Sequence, residues 1–321
     1  MRIAITDYTF PDLEIEEAIL REEGHQIVAW KEKRSAAELS ELVADADAVI
    51  TQFAPVDAGV IDSMRRARVI VRYGIGVDNV DLTAASAKGI PVCNIPDYCI
   101  HEVADHTLAF ILATTRQVVP HCIALRSGQW GLVTSVDQMR AMCDLTVGVV
   151  GFGRIGREVA SRLRSFQCQV VVHDPGVEAA EVERAGCSAL GLEELLAVSD
   201  VVTLHCPSTA RTRHLINRDT LATMKPGVIL VNVARGDIVD ASALIDALRS
   251  GQVSGAALDV FVPEPLPSDH ALLQMDNVIV ASHIASVSVP AVRKLRETAA
   301  RLAATALRGE SLPNIVNGVS Q

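Results

Sequence analysis

Aromatic residues are scarce in this chain, 3% of 321 residues, so any core of ordinary size must be built from aliphatic side chains. The seven cysteines (Cys93, Cys99, Cys122, Cys143, Cys168, Cys187 and Cys206) are odd in number and never spaced C-x-x-C. That excludes a disulfide framework or a thiolate metal cluster as the organising device, and they read instead as small apolar residues in a reducing compartment. No run reaches the roughly 18 uninterrupted apolar residues of a membrane span. The opening MRIAITDYTF also lacks the apolar stretch and small-residue cleavage site of an export signal. A cytoplasmic protein with no membrane partner is expected. Positive charge is short as well: 29 Lys and Arg against 39 Asp and Glu leave a net charge of −10, which disfavours nucleic acid but allows a local basic pocket for a small anion.

What is present is a recurrent alternation. Short runs rich in Ile and Val stand at 2–6, 47–51, 68–72, 147–151, 169–174, 200–206, 228–234, 255–260 and 278–283, with helix-like stretches between them. Strands apolar on both faces, alternating with helices, are what a parallel sheet covered on two sides requires, so the fold class is α/β. The length suits two domains. Helical spacing of Val103, Thr107, Phe110, Ile111, Thr114 and Val118 predicts one long helix over 101–119, ended by Pro120. A second, over 289–308, carries Val292, Leu295, Ala299, Leu302, Ala306 and Leu307 on one face and stops at Gly309. These two linking helices imply a discontinuous first domain.

The sharpest local pattern is VGVVGFGRIGREVASRL at 147–163, followed by QVVVHD ending at Asp174. Gly151, Gly153 and Gly156 lie between a strand-like and a helix-like run, where glycine lets a backbone approach a pyrophosphate at a helix N-terminus. Asp174 ends the next strand, where a carboxylate can accept from a ribose 2′-hydroxyl and repel a 2′-phosphate, which points to NAD. Asp174 also fits a turn before Pro175.

The blocks RYGIGVDNVDL (72–82), GFGRIGREVA (151–160), VNVARGDIVD (231–240), GAALDVFVPEP (255–265) and ASHIAS (281–286) together resemble the D-isomer-specific 2-hydroxyacid dehydrogenases, particularly their phosphoglycerate dehydrogenase and C-terminal-binding-protein branches. The resemblance spans nearly the whole chain. It implies two doubly wound parallel-sheet domains: a flavodoxin-like substrate domain from 1–99 and 288–321, and a Rossmann NAD-binding domain from 100–287, with the substrate cleft between them. No regulatory domain of the kind attached to many phosphoglycerate dehydrogenases is expected after Gln321.

The same resemblance assigns Arg235, Glu264 and His283 to catalysis, and chemistry gives each a reason. Oxidising an alcohol as hydride leaves carbon needs a base for the hydroxyl proton, and a histidine serves near neutral pH. A carboxylate, Glu264, sets its tautomer and favours the protonated form. Arg235 is a planar donor suited to a substrate carboxylate and to charge growing on the 2-oxo group. Taken singly, each also fits a bland role: a surface arginine, a solvated acid, a satisfied histidine. Formate dehydrogenases resembling this pattern carry glutamine where Glu264 stands, so the glutamate supports a 2-hydroxy acid.

For the substrate, the resemblance points to Arg72, Tyr73, Gly74, Ile75 and Gly76, a loop whose backbone amides hold a carboxylate, together with Arg235 and His283. Arg72 also fits a strand-end arginine paired with Asp78 or Asp81. Further cofactor contacts implied are Thr107, Arg154, Ile155, His205, Cys206, Pro207, Thr212, Val233, Ala234, Arg235, Asp259 facing the nicotinamide amide, and His283. His101, His106, His173 and His214 read as structural. Ser282, Gln167 and Ser286 depart from residues common in the family. The 120–146 segment resembles a dimerisation arm, implying a homodimer, although Trp130 and Met139 also fit packing within their own subunit. The expected reaction interconverts a small anionic D-2-hydroxy acid and its 2-keto acid with NAD. Candidate substrates are 3-phosphoglycerate, glycerate or hydroxypyruvate, glyoxylate, and phosphonate or sulfonate analogues. The alternative is an NAD(H)-sensing binding protein like the family's corepressors.

Overall fold

A computed structural model describes residues 1–32 and 34–320; Gln321, the last residue of the expected substrate domain, lies outside them. The chain divides into two compact units, Met1–Tyr98 with Ser288–Gln321, and Cys99–Val287.

The first unit is a five-stranded parallel sheet of β1 (Arg2–Ile5), β2 (Gln26–Ala29), β3 (Ala48–Thr51), β4 (Ile70–Arg72) and β5 (Val92–Cys93), in the order β2-β1-β3-β4-β5. Its helices are α1 (Glu14–Glu22), α2 (Ala36–Val43), α3 (Ala58–Ser63), α4 (Leu82–Ala87) and, from the returning chain, the helix Val289–Arg308. Successive side chains of a strand point to opposite faces, and the sheet uses both. Ile3, Ile5, Ile50 and Val71 pack with Leu20 of α1 and with Leu295, Ala299, Leu302 and Ala303 of the returning helix. Ala4, Val49, Ile70 and Val92 pack with Leu39 and Val43 of α2, Val60 and Ile61 of α3 and Ala85 of α4. Each fully buried aliphatic side chain contributes roughly 1.5–3 kcal/mol. Asp7, behind β1, accepts N–H bonds from Gln52 (3.0 Å) and Phe53 (2.7 Å) and so fixes the loop that leaves β3.

The second unit has seven parallel strands: β6 (Thr146–Val150), β7 (Gln169–His173), β8 (Ser188–Ala189), β9 (Val201–Leu204), β10 (Val228–Asn232), β11 (Val253–Leu258) and β12 (Val278–Val280). Their order is β12-β11-β10-β9-β6-β7-β8. The helices are α5 (Ile100–Thr115), α6 (Val118–Arg126), α7 (Arg154–Ser165), α8 (Ala179–Arg184), α9 (Leu192–Val198), α10 (Arg218–Thr223) and α11 (Ala241–Ser250), and the returning helix of the first unit is α12. Strand order reverses between β6 and β9, the switch point at which doubly wound sheets open a crevice beyond their strand ends.

Three sequence expectations need correction. The stretch 101–119 is two helices, α5 and α6, bent by 65° at Gln117, which has a left-handed φ of 52°. Pro120 does not end a helix: it sits in the first turn of α6, where no intrahelical N–H is required of it. The edge strands β2, β5 and β8 lay unread among the helical stretches. Cys122 and Cys143 are exposed, while Cys93, Cys99, Cys168 and Cys187 are buried. No single helix among the described residues is long and apolar enough to cross a membrane, although the bent pair α5 and α6 passes that test together by length and composition. The helix α12 ends at Gly309 with φ 75°, and Ser288 caps its start through the N–H of Ala291.

Asp200, just before β9, accepts from the N–H of Thr146 (2.8 Å), Arg140 (2.8 Å) and Lys225 (3.2 Å). Burial pushes its carboxyl up, but these bonds outweigh it and hold it below the ordinary 3.8. Because the folded value lies below the unfolded one, this stability is present above about pH 4 and disappears as pH falls through the folded value. Asp200→Asn is expected to cost about 2 kcal/mol at pH 7, with the gap to wild type closing toward pH 3. Denaturation midpoints across that range check it, and a pH-independent gap refutes it.

Candidate active site

The turn after β6 is built by three glycines with three separate duties. Gly151 has φ 98°, and a Cβ there would lie 2.6 Å from the backbone of His205 and Cys206. At Gly156 a Cβ would meet the Gly151 carbonyl oxygen at 2.0 Å. Gly153 is different: it opens α7 as its N-cap, and a Cβ on it would meet nothing within 4 Å. Two glycines therefore let the turn close on itself, and the third leaves open space in front of a helix N-terminus. The first-turn N–H groups of Arg154, Ile155 and Gly156 have no intrahelical acceptor there, and Gly153 has no side chain to cap them. Such a cradle fits a pyrophosphate.

Asp174 braces the same turn. One carboxylate oxygen accepts from the Phe152 N–H at 2.6 Å and the other from the Gly176 N–H at 2.8 Å. It remains half-buried at the end of β7, where a carboxylate suits a ribose hydroxyl. Across the turn, His205 lies within reach of Thr203 Oγ1 at 3.0 Å through Nε2. Burial pushes its ring down to about 3, so it stays neutral. Burial likewise pushes the Cys206 thiol up to about 11, which disfavours its thiolate. Pro207 and Thr212 belong to one tight turn, in which the Thr212 hydroxyl donates to the Pro207 carbonyl at 2.6 Å.

A second polar cluster lies beyond the ends of β11 and β12. His283 Nδ1 lies 2.8 Å from Glu264 Oε2, and Glu264 Oε1 accepts from the Phe261 N–H at 2.9 Å. Burial works to raise the Glu264 carboxyl, but the bond and charge of His283, the Phe261 N–H and Arg235 outweigh it and hold it below the ordinary 4.5. An ionised Glu264 makes Nδ1 the donor and leaves Nε2 as the atom that exchanges a proton.

His283 has φ 58°, a conformation that costs free energy and must be imposed by its surroundings. Asp259 imposes it. Its carbonyl accepts the His283 N–H at 2.8 Å, and its two carboxylate oxygens accept from Ile284 and Ala285 at 2.9 Å each. This alters the expectation for Asp259: the side chain is fully buried and faces this loop, with His106 Nε2 4.0 Å away. Thr107 also differs, being wholly buried with its hydroxyl donating to Val103 inside α5 at 2.7 Å.

At the end of β10, Val233 is buried and Ala234 and Arg235 are half-buried. Asn232 sets this corner: its Oδ1 accepts from Ala234 N–H at 3.0 Å and its Nδ2 donates to the Arg235 carbonyl at 2.8 Å. Arg235 Nη1 donates to the Ala234 carbonyl at 2.7 Å. Asn232 was missed in the sequence, although a lone polar residue inside the run VILVNVA was its signal.

The second unit matches the family model described as "D-isomer specific 2-hydroxyacid dehydrogenase, NAD binding domain" over residues 108–285. The chain belongs to this family. It is 39% identical over 296 residues to a D-3-phosphoglycerate dehydrogenase of Mycobacterium leprae, covering 92% of this chain and 56% of that one. It is 37% identical over 304 residues to a glyoxylate reductase of Pyrococcus furiosus, covering 92% and 90%. A solved D-lactate dehydrogenase of Aquifex aeolicus, complexed with NAD and lactic acid, superposes with a TM-score of 0.86 at 29% identity, covering 97% and 96%. This dehydrogenase-family chain thus spans about half the length of the phosphoglycerate dehydrogenases it matches and most of the glyoxylate reductase.

The first unit of this family member holds the other expected group. Arg72 ends β4, stacks over Phe53 at 5.7 Å and donates through Nη1 to the Tyr73 carbonyl at 2.8 Å. The N–H groups of Tyr73 and Gly74 are committed to Thr51 and Arg72 at 2.8 Å each, whereas those of Ile75 and Gly76 have no acceptor among the described residues. The amides open to an anion are therefore fewer than the loop has.

Gly153→Ala and Gly156→Ala separate the duties of the glycines. The first keeps the wild-type Tm while weakening NADH binding by about tenfold, or 1.4 kcal/mol. Its neighbour Gly156→Ala lowers both Tm and affinity, because the clash is with backbone. Melting curves and NADH fluorescence titration decide, and equal behaviour of the two variants contradicts the assignment.

Proposed function

We propose that this protein interconverts a small D-2-hydroxy acid and its 2-keto acid with NAD, with His283 as the acid/base. The observation that carries the reading is the His283–Glu264 pair, held at 2.8 Å on a loop that Asp259 pins, in a unit that matches the family's NAD-binding domain.

When bound, NAD supplies the hydride acceptor in oxidation, and its reduced form supplies the donor in reduction. Gly153, Arg154, Ile155 and Gly156 would hold its pyrophosphate, and Asp174 its ribose. The chain's own residues handle charge and protons. Nε2 of His283 takes the hydroxyl proton as the 2-carbon gives up hydride, and returns a proton to the oxygen in the reverse direction. Glu264 stabilises the imidazolium that forms. The Arg235 guanidinium orients the carboxylate and offsets negative charge on the 2-oxo oxygen. In the first unit, the Ile75 and Gly76 amides bind the substrate carboxylate.

Arg72 is 7% exposed and bonded to its own loop, so it supports that loop. This favours the short acids, glyoxylate and hydroxypyruvate, over 3-phosphoglycerate and the phosphonate or sulfonate analogues. A homodimer is part of the reading, supported by the exposed apolar side chains of Ile123, Leu125, Trp130, Leu132 and Val136 in one segment of the second unit.

NADH oxidation across a panel of 2-keto acids, with NADPH in parallel, tests this. Wild type is expected to turn over glyoxylate or hydroxypyruvate with NADH, and His283→Ala to lose about 10²- to 10⁴-fold in kcat while still binding NADH. Intact NADH binding without turnover of any acid would favour the sensor alternative. Glu264→Gln adds a pH test: without the negative charge that favours the imidazolium, the alkaline limb of kcat/KM for reduction moves to lower pH. An unmoved limb removes Glu264 from this role.

A further inference from the structure

We propose that Glu16 and Arg296 are positioning residues for substrate, acting through the Tyr73 hydroxyl on the 72–76 loop. This rests on the reading that the loop binds the substrate carboxylate.

The observation is a buried ionic cluster with no role in the chemistry above. Glu16 of α1 is fully buried and Arg296 of α12 is 5% exposed. The Arg296 guanidinium grips the carboxylate from two sides, with Nε at 3.0 and 3.1 Å from its two oxygens and Nη2 at 2.7 Å from Oε2. Nη2 also donates to the Asp12 carbonyl at 2.8 Å and to Asp12 Oδ1 at 3.0 Å. The second partner of Glu16 is Tyr73, whose hydroxyl donates to Oε1 at 2.9 Å. Phe10 completes the cluster, lying edge-on to the Tyr73 ring at 5.3 Å and beneath the guanidinium at 5.0 Å.

Such a cluster is a poor device for stability alone, because the desolvation cost of burying two charges can exceed their attraction. The helices α1 and α12 already share an apolar core through Leu20, Leu295, Ala299 and Leu302. What the ions add is direction: a fixed acceptor for one phenol. Tyr73 is the residue at which β4 becomes the anion loop. Its N–H is tied to Thr51 and its carbonyl receives Arg72 Nη1, and the next residue, Gly74, has φ 151°, where a Cβ would lie 1.3 Å from that same nitrogen. Beyond it the Gly74 carbonyl accepts from Ile95 at 2.9 Å and the Ile75 carbonyl from Asn94 at 2.7 Å. The side chain of Tyr73 thus anchors the loop to the interior between α1 and α12. A loop amide displaced by a fraction of an ångström loses much of its bond to a carboxylate.

The test uses Tyr73→Phe, which removes one oxygen and leaves the Glu16–Arg296 pair intact, together with Arg296→Lys and Arg296→Met. Steady-state reduction of the best 2-keto acid, NADH affinity and Tm are measured for each. A loop that binds substrate equally in ground and transition states shows its loss in KM. Tyr73→Phe is therefore expected to raise the keto-acid KM about tenfold with kcat and NADH affinity near wild type, and Arg296→Lys to retain more of the affinity than Arg296→Met. An active wild type whose keto-acid KM is unchanged in folded Tyr73→Phe overturns this inference alone. So does a parallel loss of keto-acid affinity, NADH affinity and Tm, the pattern of a merely structural cluster. A wild type inert toward every 2-keto acid overturns the reaction and this inference together.

Discussion

A parallel strand covered by helices on both faces has no water on either side, so polar chemistry can be placed only where the strand ends. Most residues of the candidate site follow that constraint. Arg72 and Tyr73 stand at the end of β4, Gly151 at the end of β6, Asp174 at the end of β7, His205 beyond β9, Arg235 beyond β10, Asp259 beyond β11 and His283 beyond β12. The sheet interiors, by contrast, are Ile, Val, Leu and Ala at both faces. Stability and chemistry occupy different zones of the same strands.

The strand ends create a second problem, because a loop leaving a sheet carries backbone N–H groups that have lost their ladder partners. Aspartates solve it repeatedly. Asp7 accepts from Gln52 and Phe53, Asp174 from Phe152 and Gly176, and Asp259 from Ile284 and Ala285. A short side chain with two acceptor oxygens can hold two adjacent amides and so fix the direction of a loop. At Asp259 this reaches the candidate site directly, since the loop it fixes holds His283 in a left-handed conformation. Acidic residues of this kind are used inward, as scaffolding for the site.

Much of the architecture was legible in the sequence. The nine apolar runs are the other nine strands, most of them buried on both faces, where an unbroken aliphatic run is needed. The three missed strands are the two-residue β5 and β8 and the partly exposed edge strand β2, too short or too exposed to carry that signature. The helix α12 was read to its boundaries because its apolar stripe and its Gly309 stop agree. The stretch 101–119 misled because α5 and α6 have the same apolar composition, and only the backbone at Gln117 separates them.

By itself the sequence determined the family, the alternation of strands and helices, and the order of the blocks that carry Gly151, Gly153, Gly156, Arg235, Glu264 and His283. Those are properties of residues close together in the chain, where periodicity and spacing are written directly. The tertiary structure alone decided that Glu264 stands 2.8 Å from His283, 19 residues away, that Asp259 is turned to the histidine loop, and that Glu16 meets Arg296 across 280 residues. Such pairings come from the packing of whole helices and strands against one another, and no local pattern records which polar side chains that packing will bring face to face.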